Sequence, residues 1–197
     1  VSTDKSVNPT NIMGLTKRIV EVSLNEFFRK TNVDLLTVRF GNVIGSDGSV
    51  FHKFLHQIKN YQKITLTDLS VKRYFMNISQ AANLIIKTSL IGKAGNVYIL
   101  NMGEPIKIYD FIVSMINKHG DKDQINDIKI IGLMPGEKIN EELYYDHENV
   151  KALDDTIFVG TYKNINFDIN AFESFFENID VSDEIGIRRY INSIKIF

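Results

Sequence analysis

The chain has 197 residues, 44% hydrophobic and 24% charged, enough for one domain with a buried core and ordinary for a globular protein. A formal net charge of −1 gives no basis for nucleic acid or an anionic membrane as main partner. The absence of cysteine excludes disulfides, thiolate metal sites and a cysteine nucleophile.

No apolar run approaches the roughly 20 residues needed to cross a bilayer, and no signal-peptide pattern is present. The chain opens on valine inside a functional-looking run, which reads as a cut through a longer protein.

Val1-Ser2-Thr3 reads as the end of a short strand, and Asn8-Pro9-Thr10-Asn11 as a turn feeding a helix. From Ile12 to Phe28 the residues Ile12, Leu15, Ile19 and Val22, then Leu24, Phe27 and Phe28, recur at helical spacing. Leu35 to Phe40 predicts a strand buried on both faces of a parallel sheet. Gly41 to Ser49 reads as a loop with three glycines, and Val50 to Ile58 as a short helix.

Ile64 to Thr67 predicts another strand, after which Ser79 is the expected cap of a helix through Ala81, Leu84 and Ile86. Asn96 to Met102 predicts a strand, Ile108 to His119 an amphipathic helix, and Ile128 to Leu133 a strand. Closing helices are expected over Ala171 to Ile179 and Glu184 to Ile194. This alternation argues an α/β fold that begins in mid-fold, since no Gly-x-Gly-x-x-Gly occurs to cradle a dinucleotide pyrophosphate.

Taken alone, the charged and glycine-rich features have plain readings. An Asp4-Lys5 pair is ordinarily a solvated surface pair, Met13 a core filler and Arg73 a surface ion pair. The glycines at 41, 45 and 48 can be only a loop, and Phe172, Phe175 and Phe176 most simply fill a core or interface. His52 and His56 stand at i, i+4, but no third ligand accompanies them, so no metal site is assigned.

Their combination reads differently. The run Thr3-Asp4-Lys5-Ser6-Val7-Asn8-Pro9-Thr10-Asn11, with Met13 and Lys17 following, closely resembles a signature of the extended short-chain dehydrogenase/reductase superfamily. More narrowly, it resembles the polysaccharide-biosynthesis branch that makes 4-keto-6-deoxy sugars from UDP-N-acetylglucosamine. Three further runs stand in the same order: Arg39 to Ser46, Arg73-Tyr74-Phe75-Met76, and Asn101 to Pro105 followed by Pro135-Gly136-Glu137-Lys138. Together the four cover residues 1 to 148; the last fifty or so carry no such match.

The resemblance implies the C-terminal part of a Rossmann-type NAD(P)-binding fold plus a smaller substrate-binding lobe. Residues 1–62 would be a partial Rossmann catalytic segment, 63–150 the substrate lobe with returning Rossmann elements, and 151–197 an extension of unassigned role. The implied activity is a nucleotide-sugar 4,6-dehydratase feeding capsule, O-antigen or glycan synthesis. Bound NAD or NADP takes hydride from C4, water leaves across C5–C6, and hydride returns to C6.

Elimination calls for a base at C5 and an acid beside the 6-hydroxyl. By motif, Lys5 would be that base, Asp4 that acid, and Thr3 a hydrogen-bond partner of the 4-hydroxyl. Met13 and Lys17 share one helix face, where the wider superfamily carries a Tyr and Lys pair. The longer, membrane-anchored members share the methionine; a thioether takes no proton, so Asp4 or a bound water is the expected C4 base.

Lys17, Phe40 and Asn42 are the expected cofactor-side residues, with Asn42, Arg73, Glu137 and Lys138 on the substrate side. Glu141 is expected to help shape the substrate side. Met134 occupies a position where the family usually carries a diphosphate-binding arginine.

The implied partners are a UDP-sugar, a dinucleotide-binding N-terminal half without which the chain is expected to be inactive, and further copies in a homo-oligomer; nucleic acid is not expected. The implied location is the cytoplasm, or the cytoplasmic face of the inner membrane where membrane helices precede that half. Two alternatives stand beside this reading: an epimerase or reductase on the same scaffold, and a truncated, non-catalytic binding or assembly module.

Overall fold

The computed structural model describes residues 1–46, 49–162 and 168–178, with Gly186 and Arg189. The helix expected over Glu184 to Ile194, Gly48 of the glycine loop and the packing of Phe172 and Phe176 lie outside that description.

The chain begins with β1 (Ser2–Thr3), a one-turn 3₁₀ segment at Asp4–Ser6, and α1 (Ile12–Phe28). Asn11 caps α1 by accepting a hydrogen bond from the Gly14 amide at 2.9 Å. β2 (Thr37–Phe40) and β3 (Asn42–Ile44) follow, then α2 (Val50–Lys59), β4 (Thr65–Leu66), β5 (Lys72–Arg73) and β6 (Phe75–Asn77). The expected glycine loop therefore contains a strand, because Asn42 to Ile44 pair in parallel with β6.

α3 (Ile78–Ile91) is capped by Asn77, whose side chain accepts from the Gln80 amide, and not by Ser79. The helix starts two residues earlier than expected, leaving Ser79 inside its first turn. β7 (Asn96–Leu100), β8 (Ile106–Lys107), α4 (Ile108–His119) and β9 (Lys129–Ile130) continue the alternation, and β10 (Lys151–Ala152), β11 (Ile157–Thr161) and α5 (Ile169–Asn178) close it.

The main sheet has the order β1-β2-β7-β11-β10. β1, β2 and β7 run parallel, while β11 and β10 return antiparallel as a hairpin. α1 connects β1 to β2, and a longer excursion through α2 and α3 reaches β7. One core, including Val38, Met76, Leu84, Tyr98 and Ile157, packs under this sheet. A second joins Phe54 and Ile58 of α2 to Ile112 and Ile116 of α4, with Ile64, Leu66 and Val71.

β2 is buried as expected, but with Arg39 in its middle. Its guanidinium donates two bonds of 2.7 Å to Glu21 of α1 and one of 2.8 Å to Glu148. Arg18 lies 3.2 Å from the same Glu21, and its guanidinium carbon sits 4.5 Å from the centre of the Tyr145 ring. Two cations and two anions, all buried, thus form a formally neutral cluster linking α1, β2 and the turn at Asp146–Glu148.

Burial alone would raise the Glu21 pKa, but the hydrogen bonds and charge of Arg39, with the Ser2 and Ser6 hydroxyls, hold it below the ordinary glutamate value. Because the folded pKa is the lower one, the Glu21 contribution is present in full above the ordinary value and is lost as pH falls through the folded value. Glu21→Ala should cost about 3–5 kcal/mol by leaving buried arginine charge uncompensated. Urea unfolding checks this, and the gap between wild type and Glu21→Ala should narrow toward acid pH.

Candidate active site

The candidate site is built on the turn between β1 and α1. Thr3 ends β1 and caps the 3₁₀ turn, so Asp4 and Lys5 fall at the carboxyl end of a parallel strand. That is the usual place for ligands in open α/β sheets. The turn is tied from behind: Ser2 donates to Glu21, Ser6 Oγ lies 2.8 Å from Glu21, and Tyr145 donates to the Ser6 carbonyl at 3.0 Å. Lys138 Nζ donates to the Val7 carbonyl at 2.8 Å.

α1 presses directly on the turn. A Cβ at Gly14 would stand 2.3 Å from the Lys5 carbonyl oxygen, so only glycine permits this approach.

Asp4 is wholly buried, which removes the plain surface-pair reading. Its Oδ1 accepts from Thr3 Oγ1 at 2.8 Å and Lys5 Nζ at 3.0 Å. Its Oδ2 is buried with no hydrogen-bond partner among the described residues, and a Cβ at Gly41 would come within 3.0 Å of it. Lys5 Nζ also lies 3.3 Å from Asn42 Oδ1, while Asn42 Nδ2 donates to the Tyr74 carbonyl at 3.1 Å. Burial, with the charge of Glu104, Tyr144 and Asp4, raises the Tyr74 phenol.

Two hollows meet at Lys5. One, about 420 Å³, is lined by Thr3, Gly41, Asn42, Ser49 and Phe51; the other, about 310 Å³, by Met13, Arg73, Met134, Glu137, Lys138 and Glu141. The structure thus gathers Thr3, Lys5 and Asn42 at the first, with Asp4 buried behind Lys5, and Met13, Arg73, Glu137 and Lys138 at the second. Phe40 packs against the core beneath the sheet. Lys17 is exposed one turn beyond Met13, and among the described residues no ion pair or hydrogen bond engages its ammonium.

In the second hollow Arg73 donates to the carbonyls of Lys72 and Ile139 at 2.7 and 3.1 Å, but meets Glu137 and Glu141 only at 3.5 and 3.7 Å. Charge-assisted hydrogen bonds close to about 2.7–2.9 Å. Arg39 reaches that range with both of its carboxylates and Arg73 with neither, so two of the Arg73 donors retain capacity for an anion. Glu137 accepts from Thr67 at 2.8 Å and from the Met134 amide at 3.0 Å, which fixes the turn through Gly136. Lys138 pairs with Glu142 at 2.9 Å.

The sequence reading missed Glu21 and Glu148. The signal available was Arg39 itself, since arginine inside a strand buried on both faces needs a buried counter-charge.

The parallel sheet, its covering helices and a polar site at the strand ends define a Rossmann-type α/β protein. Residues 1–161 match the family described as polysaccharide biosynthesis protein, and the chain belongs to that family. It is 44% identical over 151 residues to the capsular polysaccharide biosynthesis protein CapD of Staphylococcus aureus, covering 75% of this chain and 25% of CapD. It is 33% identical over 172 residues to a UDP-glucose 4-epimerase of Rickettsia canadensis, covering 85% of this chain and 48% of the epimerase.

The solved structure of Pen from Bacillus thuringiensis superposes with a TM-score of 0.72 at 36% identity, over 83% of this chain and 51% of Pen. The chain spans between about a quarter and a half of the length of these proteins.

Gly14→Ala should push α1 off the turn and destabilise the protein by about 1–3 kcal/mol, as overpacking does. Thr16→Ala, on the exposed face of the same helix, should stay within about 0.5 kcal/mol of wild type. Thermal unfolding of the two variants side by side checks the pair.

Proposed function

We propose that the protein to which these residues belong is an NAD(P)-dependent nucleotide-sugar 4,6-dehydratase acting on a UDP-N-acetylglucosamine-like substrate in surface-polysaccharide synthesis. The observation that carries this reading is the Asp4–Lys5 pair: a buried carboxylate holding a lysine ammonium at the junction of two hollows, with the second carboxylate oxygen left unpartnered. Loss of water from a 4-keto sugar needs a base for the C5 proton and an acid for the 6-hydroxyl. Lys5, facing both hollows, is the base once its proton has shifted to Asp4 across their 3.0 Å contact, and the protonated Asp4 behind it is the acid. Thr3 and Asn42 orient the sugar beside Lys5.

Arg73, with donors in reserve, holds the diphosphate in place of its long carboxylate contacts. Lys138 is already bonded to a backbone carbonyl and to Glu142, and it fixes the wall of the hollow. The exposed Lys17 ammonium has the reach and charge to hold ribose hydroxyls of a dinucleotide, whose remaining contacts would come from sequence beyond these 197 residues. When bound, a dinucleotide would supply the acceptor for the C4 hydride and then the donor that returns it to C6. The stripe of Val20, Leu24 and Phe27, 51%, 41% and 53% exposed on α1, supports protein–protein burial of that face and a homo-oligomer.

The likeness to a UDP-glucose 4-epimerase favours a second reading, epimerisation on the same scaffold. Mass spectrometry separates the two. With this chain joined to a dinucleotide-binding half, UDP-N-acetylglucosamine should lose one water; an unchanged mass with inverted C4 would establish the epimerase instead. Lys5→Met should abolish the water loss while UDP binding persists.

A further inference from the structure

Oxidation at C4 requires a group to accept the hydroxyl proton, and Met13 stands where the wider superfamily carries a phenol. Asp4 is an awkward substitute. It is wholly buried, and its Oδ1 is committed to Thr3 and Lys5.

Glu141 is placed differently. It lines the same 310 Å³ hollow as Met13 and Lys5, with its side chain 7% exposed. Its one ion contact is the loose 3.7 Å approach of Arg73, and among the described residues no hydrogen bond reaches its carboxylate. Unlike Asp4 Oδ2, its carboxylate oxygens are not sealed off, so they stay open to the hollow and able to take a proton from a molecule bound there.

The charges facing it come from several elements: Asp4 and Lys5 from the β1–α1 turn, Arg73 from β5, and Lys138 from its own loop. Burial and then the charge of Asp4 raise its pKa above the ordinary glutamate value, against the opposing Lys5, Arg73 and Lys138 cations.

We propose that Glu141 is a further catalytic residue, the proton acceptor for the C4 hydroxyl. Its carboxylate takes the proton as the O–H bond breaks and the C4 hydride passes to an oxidised nicotinamide, leaving a C4 ketone, a reduced nicotinamide and a neutral carboxylic acid. Returning that proton when the ketone is reduced would serve the epimerase reading equally, so the assignment rests on nucleotide-sugar oxidation at C4 and not on the later loss of water.

The test uses the full-length protein with its dinucleotide, comparing wild type, Glu141→Gln, Glu141→Asp and Asp4→Asn. Reduced nicotinamide is followed in a single turnover by its absorbance, and UDP binding by calorimetry. Glu141→Gln should slow nicotinamide reduction about 10²- to 10³-fold, with Glu141→Asp recovering part of the loss. UDP should bind the Gln variant as tightly as wild type or more tightly, because a charge competing for Arg73 is gone. A purely structural role would instead weaken binding and lower Tm.

Wild-type reduction should rise with pH through the Glu141 pKa, and that acidic limb should vanish in Glu141→Gln. A wild-type rate and pH profile in Glu141→Gln, with reduction lost in Asp4→Asn, would overturn the assignment and leave the proposed function standing. No reduction of nicotinamide by wild type on any UDP-hexose would overturn both.

Discussion

The buried cluster of Arg18, Arg39, Glu21 and Glu148 is the interaction on which the rest of this structure depends. Taking four charges out of water is costly unless each is paired and hydrogen-bonded. Here the pairing is densest at Glu21, which meets Arg39 through two bonds of 2.7 Å and also receives Ser2 and Ser6, while Glu148 Oε1 has no hydrogen-bond partner among the described residues. The partners come from residues 2, 6, 18, 21, 39 and 148, so the cluster can form only when β1, α1, β2 and the turn after Tyr145 are assembled together. An apolar cluster of the same volume would hold as well but would specify the assembly less narrowly, because hydrophobic contacts lack direction.

That cluster also fixes where chemistry can occur. The turn carrying Asp4 and Lys5 has no core of its own; Glu21 grips it through Ser2 and Ser6, Tyr145 through the Ser6 carbonyl, and α1 through the bare Cα of Gly14. Lys138 and Glu142 add a tie from the loop that walls the second hollow. The junction of the two hollows is thereby given a rigid edge at Lys5. Positioned acid–base groups lose rate steeply with small displacements, so a well-held turn is a functional requirement as much as a structural one.

Much of this was legible in the sequence, for identifiable reasons. α1 and α4 run over the expected ranges because their apolar spacing is unbroken and Asn11 marks the start of the first. β2 was expected from a nearly apolar run, but its partners were not, since strand order depends on contacts far apart in sequence. β3 hid in a glycine-bearing stretch because its parallel pairing with β6 is a contact distant in sequence and not a matter of local propensity. Ser79 and Asn77 are both good capping residues two positions apart, and the β3–β6 pairing that ends at Asn77 decides between them. Of the residues singled out in the four sequence runs, Thr3, Asp4, Lys5 and Asn42 lie together at the turn while Phe40 packs beneath the sheet, and neither the full enclosure of Asp4 nor the approach of Glu141 could be read from those runs.

The two arginine sites show why burial and distance matter more than residue type in separating support from function. Arg39 and Arg73 each face two glutamates, and neither could be assigned from composition alone. Arg39 is closed off: it is fully buried, and each of its three guanidinium nitrogens is at hydrogen-bonding distance from a carboxylate. Arg73 is braced by two carbonyls, yet its carboxylate contacts remain about an ångström longer than those of Arg39, beside an open hollow. An incoming dianion would meet a guanidinium already oriented and only weakly neutralised, so exchange of Glu137 and Glu141 for phosphate oxygens requires little rearrangement. Met134 then matters less than its place in the family pattern suggests. The hollow lacks one cation there, but the cation it keeps is held without being consumed by its neighbours.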